Sequence, residues 1–198
     1  TRYTTLGGTT LTAMYLASVT ESEHRITLEA MVDLHNALAD TPTANPRSIL
    51  AEAGFSRAPD ASAASLHRLT GRIENIEAFL AQLPDLETDM ASARVTEELT
   101  ELPITPSIVD HGGVGPHIHW TPPTARFDDQ VMADLMMALA HEVCDNGTIR
   151  FGICAAADCS RLFYDATRNR SKRFCSDPRC ASRTHTADHR RRQSDMTL

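Results

Sequence analysis

The chain has 198 residues, enough for one main body plus a small appendage that needs help to fold. Its hydrophobic content of 41% and charged content of 23% are those of a globular protein, and no stretch approaches the roughly 20 apolar residues that cross a bilayer, so no membrane partner and a cytoplasmic location are expected. The net charge of −7 divides unevenly: residues 1–144 carry 8 arginines against 20 acids, a balance of −12, whereas 145–198 carry 11 Lys or Arg against 6 acids, a balance of +5. Nine of those eleven cations fall between Arg168 and Arg192, which points to an acidic partner for this end, nucleic acid or an anionic surface; the plainer alternative is a solvated basic tail.

In chain order, the apolar run Leu11–Val19 has only Arg2 ahead of it and is short for an export signal, so buried structure is expected there. From Glu21 to Ala39 the residues Ile26, Leu28, Met31, Val32, Leu34 and Leu38 recur at helical spacing, with acids near the start where the helix dipole favours them. Pro42 and Asn45-Pro46 break that helix, and Pro46 opens a short one that stops at Gly54. Asp60 is the expected N-cap of a helix running to Leu83, striped by Leu66, Leu69, Ile73, Ile76, Phe79 and Leu80, and a further amphipathic piece covers Leu86–Leu99. After Pro103, Ser107–Asp110 and Pro116–Trp120 flank the glycine-rich His111–Gly115, which suits a β-hairpin. Phe127–Val143 is again helical, Asn146-Gly147 supplies its stop, and Cys144 reads as an ordinary buried thiol.

Four of the five cysteines form two C-x4-C pairs, Cys154 with Cys159 and Cys175 with Cys180, separated by fifteen residues. Thiolates bind zinc tetrahedrally, a short loop lets two sulfurs converge, and the spacer is long enough to return the chain to the same ion. The spacer reads as a hairpin, with Arg161–Asp165 and Lys172–Phe174 as strands and Thr167–Ser171 as the turn. Pro178 then starts a last helix that carries Cys180 and runs to about Arg192, a treble-clef-like layout. A full shell of four sulfurs leaves no open position, so one structural Zn2+ per chain is expected and no metal-assisted hydrolysis at this site. Disulfides, an iron–sulfur cluster, or His185 or His189 in place of a cysteine are the weaker alternatives.

The segment Cys154-x4-Cys159-Ser-Arg-Leu-Phe-Tyr-Asp165-Ala-Thr-Arg168-Asn169-Arg-Ser-Lys-Arg173-Phe-Cys175-x4-Cys180 resembles the CGNR zinc finger of bacteria. In that family the finger follows an N-terminal ABATE domain, which Pro116-His-Ile-His-Trp120 and the helix before Ile149-Arg150 also resemble; residues 1–105 match mainly in helical character. The resemblance implies a stress-induced transcription regulator that binds DNA. The tetrad that names the family is here Cys180-Ala181-Ser182-Arg183, so Ala and Ser replace Gly and Asn.

The expected architecture is therefore α+β: a mainly helical N-terminal domain with a small sheet over 1–148, then a zinc finger over 149–198. DNA contacts are expected from Arg168, Arg170, Lys172 and Arg173 on the spacer and from Arg183, Arg190, Arg191 and Arg192 on the last helix, mostly to phosphates. The acidic N-terminal domain would repel DNA, so it is assigned to sensing a small-molecule effector or to forming a homodimer. A second reading makes the finger a zinc-stapled protein interaction module, and a third gives Asp110, His111, His117 and His119 an enzymatic role, with His117 and His119 sharing a strand face fit to hold a metal. Gly112–Gly115 alone is a weak match to a phosphate loop and reads as a turn.

Overall fold

A computed structural model describes residues 9–41, 43–110 and 116–195. Seven helices and two two-stranded antiparallel sheets are present among the described residues, which makes the fold α+β. The first helix, α1 (Thr9–Asp40), begins well before Glu21, and its second half buries Leu28, Met31, Leu34 and Leu38 on one face. The side chains of the run Leu11–Val19 lie outside what is described, and so does the expected turn His111–Gly115.

The short helix α2 (Arg47–Glu52) follows Pro46 and ends before Gly54, whose φ of +87° is the left-handed conformation that glycine adopts without strain. The expected helix from Asp60 to Leu83 is divided. Ser62, not Asp60, caps α3 (Ala63–Asn75), its hydroxyl accepting from the Ser65 N–H at 3.1 Å. The backbone leaves helical geometry at Ile76, α4 (Glu77–Gln82) follows, and a 3-10 turn at Leu83–Asp85 takes up Pro84. The apolar stripe continues through the break, since Ile73, Ile76, Phe79, Leu80 and Leu83 are all buried.

At the centre lies α6 (Phe127–Asn146), which packs on α1, on α3 and on α5 (Thr88–Thr100). Its residues Val131, Met132, Leu135, Met136, Leu139 and Val143 are all buried in the core. Its acidic first turn is held from outside, by Arg68 on Asp128 at 2.8 Å and Arg72 on Asp129 at 2.7 Å. Gly147 ends the helix at φ +65°, and a Cβ there would fall 2.6 Å from Thr88 Oγ1. Cys144 is exposed rather than buried, because one residue past Val143 the helix surface has turned away from the core.

The hairpin of β1 (Ser107–Asp110) and β2 (Pro116–His119) pairs Ser107 with His119 and Val109 with His117, and these four half-buried residues form its inward face. The second sheet departs from expectation. β4 (Leu162–Tyr164) pairs with β3 (Phe151–Ile153), a strand ahead of the first cysteine, and not with residues 172–174. The competing pairing is pre-empted by Asp165: its carboxylate accepts from the Thr167 N–H and hydroxyl at 2.8 and 2.6 Å and from the Lys172 N–H at 2.8 Å. These bonds fold residues 165–172 into a closed loop and use the donor that a strand at 172 would need.

The β3–β4 hairpin joins two cores. Along β4, Leu162 and Tyr164 enter the large core with the helices, and Phe163, on the opposite face, enters a small cluster of Ala156 and the cysteines. Gly152, opposite Phe163, makes room for that ring, since a Cβ on it would lie 2.6 Å from the ring edge.

Candidate metal centre

The first knuckle grows out of β3. Cys154 follows the strand, and its N–H donates to the Arg161 carbonyl at 2.9 Å, so the loop 155–160 is closed at its base. Within it the Ala156 N–H donates to the Cys154 sulfur, while the Ala156 carbonyl accepts from the Cys159 N–H at 3.1 Å. The second knuckle repeats this two residues past its own first cysteine. The Asp177 N–H donates to the Cys175 sulfur, and the Asp177 carbonyl accepts from the Cys180 N–H at 3.1 Å. Equal C-x4-C spacing thus gives the same loop twice, and the Ala155 N–H bond to the Arg173 carbonyl at 2.8 Å sets the two face to face.

The four sulfurs converge to within 4.8 Å of one another. Cys159 and Cys175 are 3.9 Å apart, and Cys175 and Cys180 are 3.7 Å apart. A tetrahedron with zinc–sulfur bonds of about 2.3 Å has edges of about 3.8 Å, so these separations are coordination edges, far longer than the ~2.05 Å of a disulfide. The chain's residues therefore fit a structural zinc ion held by Cys154, Cys159, Cys175 and Cys180. Without the ion, burial holds the proton on Cys180, pushing its thiol up to about 12, and raises Cys175 as well. At Cys154 burial opposes ionisation, but backbone N–H groups of Cys175 and Ala156 outweigh it and lower the thiol. Zinc reverses the penalty, because the ligand is the thiolate and the ion supplies the missing counter-charge.

The last ligand begins α7 (Pro178–Asp195), where Cys180 is 1% exposed. Arg183, one turn on, donates to the Cys180 sulfur at 3.7 Å and pairs with Asp158 of the first knuckle at 3.1 Å, so it bridges both halves of the centre. Ala181 and Ser182, which stand where the family tetrad has Gly and Asn, are half-buried and exposed, outside the sulfur cluster. His185 packs edge-on against Phe174 at 5.8 Å and His189 is exposed; neither joins the ligand set.

The expected nucleic-acid contacts divide. Arg168, Arg170 and Arg173 are exposed on the closed loop or just past it, with Arg170 at φ +50°, and Arg183, Arg190, Arg191 and Arg192 are exposed along α7. Lys172 differs: half-buried, its ammonium donates to the Tyr164 carbonyl at 3.0 Å and lies 5.7 Å over the Phe163 ring, which makes it part of the finger's packing.

Sequence reasoning missed the contacts that seat the finger. Asn36 of α1, 7% exposed, donates to the Leu162 carbonyl at 2.9 Å and accepts from the Leu162 N–H at 3.0 Å, acting as a strand partner for β4. Asp40 pairs with Arg161, and Asp33 accepts from the Ser176 hydroxyl at 3.2 Å. Tyr164 donates to Glu142 of α6 at 2.9 Å, beside Arg150 at 3.6 Å; burial, followed by the Glu142 hydrogen bond, raises that phenol. The i, i+3, i+7 spacing of Asp33, Asn36 and Asp40 was readable as one polar helix face, but nothing in the sequence names its partner. No curated protein matches the chain, whereas residues 150–193, from the arginine ahead of β3 through both knuckles to Gln193 on α7, match the family model of the CGNR zinc finger.

Proposed function

We propose that the chain is a zinc-containing transcription regulator of the cytoplasm that binds DNA through the basic face of its C-terminal finger. One observation carries this reading: α7 is fixed to the zinc centre by Cys180 in its first turn, and every residue described beyond that cysteine is half or fully exposed, with Arg183, Arg190, Arg191 and Arg192 along it. Past its first turn the helix buries no described side chain, and its cations suit a polyanion. Zinc here is architectural, setting α7 against the arginine-bearing loop, and has no open position for chemistry. The body, with its balance of −12, turns DNA away from itself and leaves the finger as the contact surface. We assign the body to sensing or dimerisation. A cavity of about 320 Å3 lined by His35, Leu38, Ala39, Ile73, Glu74 and Glu77 is of a size to admit a small effector, and the buried His35 Nδ1 beside it has no hydrogen-bond partner.

Titration of labelled duplex DNA with the zinc-loaded chain at two salt concentrations tests this. Counterion release predicts that log K falls linearly with log salt, with a slope near −0.9 for each phosphate neutralised. Charge reversal at Arg190, Arg191 and Arg192 should flatten that slope. The second reading, an interaction module, draws on the pairs Arg161–Asp40 and Ser176–Asp33, in which the finger already meets acidic side chains. Zinc-loaded protein with no salt-dependent DNA binding would select it.

A further inference from the structure

We propose that His117 and His119, on the inward face of the β1–β2 hairpin, form a second metal site, for a late first-row divalent ion such as Ni2+ or Zn2+. Strand alternation places the two residues on one face, and their Nε2 atoms lie 3.2 Å apart with the rings tilted by 47°. An ion held at about 2.1 Å by each nitrogen, with that separation between them, subtends an angle of about 100°. That lies between the right angle of an octahedron and the wider tetrahedral angle, so the pair matches one edge of either shell. Imidazole nitrogen is a borderline donor that suits Zn, Ni and Cu rather than Ca or Mg.

A second observation comes from the facing strand. Ser107 is the register partner of His119, and its Oγ is buried with no hydrogen-bond partner. A buried hydroxyl left unmatched is costly, and one on the same hairpin face as the two imidazoles is placed to hydrogen-bond a water carried by an ion held there. The site shares no ligand with the finger, since the described group of three or more metal-binding side chains is the cysteine set. With two imidazoles and water in its remaining positions it would be an open, exchanging site, unlike the closed four-sulfur shell. This inference does not depend on DNA binding.

The test uses the full chain with its finger zinc loaded and any affinity tag removed, titrated with Ni2+ by calorimetry. Wild type should take up one Ni2+ per chain, saturably, through the paired imidazole nitrogens. The double variant His117→Gln/His119→Gln should lose this binding, while His67→Gln, at an exposed histidine of α3, should keep it. Finger zinc measured by mass spectrometry and the thermal melt of the double variant guard against misfolding as the cause. An unchanged isotherm in the double variant, or no saturable uptake by wild type, overturns the proposal and leaves the 3.2 Å contact as a hydrogen bond between the rings.

Discussion

Asp134 stands on α6, the helix at the centre of the body, and burial raises its carboxyl from 3.8 to about 7. A raised acid favours the folded state while protonated, so its penalty is absent below about pH 4 and grows as pH rises toward 7, reaching its full size above that. Asp134→Asn removes the ionisation and keeps the shape. It should therefore raise the melting temperature at pH 8 and change it little at pH 4, and a gain of equal size at both values would contradict the burial argument. Arg170 carries strain of a different kind. Its φ of +50° is left-handed, a conformation costing a side-chain-bearing residue roughly 1–2 kcal/mol, yet no glycine occupies the loop tip. Arg170→Gly should leave the finger within about 1 kcal/mol of its original stability, since relief of strain offsets the greater freedom of the unfolded chain. The same variant should lower the salt slope of DNA binding by about 1 if the guanidinium touches a phosphate. An unaltered slope would remove Arg170 from the contact surface.

At the level of elements, β4 has two partners of different kinds: β3 on one edge and a single side chain, Asn36 of α1, on the other. Asn36→Ala leaves the Leu162 N–H and carbonyl buried without partners, which should cost on the order of 2–4 kcal/mol. The amide hydrogen of Leu162 should then exchange faster than those of α6, and equal protection in variant and wild type would show the contact to be dispensable. This contact also marks what the sequence discloses. The helices expected over 21–39, 127–143 and 178–192, the hairpin ends and the four clustered cysteines follow from periodicity, from glycine and proline punctuation and from cysteine spacing, all of which are local. The pairing of β4 does not, because three-residue strands carry too little pattern to select a partner. Leu162-Phe-Tyr164 fits either neighbour on hydrophobicity alone. The choice falls to Asp165, which ties up the Lys172 N–H, and to Gly152, whose missing Cβ admits Phe163. The split of the Asp60–Leu83 helix at Ile76 is hidden for a related reason: the buried stripe runs on unbroken, so burial gives no sign that the backbone has turned.

In the molecule as a whole, two sources of stability meet in one hairpin. Phe151, Leu162 and Tyr164 belong to the large core, whereas the knuckles and α7 gather around a small cluster dominated by sulfur. That cluster is too small to order its surroundings by burial alone, so metal binding supplies the missing free energy. Chelation should therefore release part of the finger and not all of it. Removing zinc from the native chain should abolish exchange protection at Cys159 and Cys180 and cost most of the helicity of α7, in which Cys180 is the one deeply buried side chain among those described. The Leu162 amide should stay protected, because Asn36 and the Tyr164–Glu142 bond hold β4 to α1 and α6 without any metal. Cys180→Ser should reproduce the same partial unfolding. The melt of the body should then shift only by what the broken Asp33–Ser176 hydrogen bond was worth, roughly 2–4 °C per kcal/mol. If the Leu162 amide instead loses protection along with the cysteines, the metal centre and the helical body fold as one cooperative unit, and zinc holds the β3–β4 hairpin in the core as well as α7 against the loop.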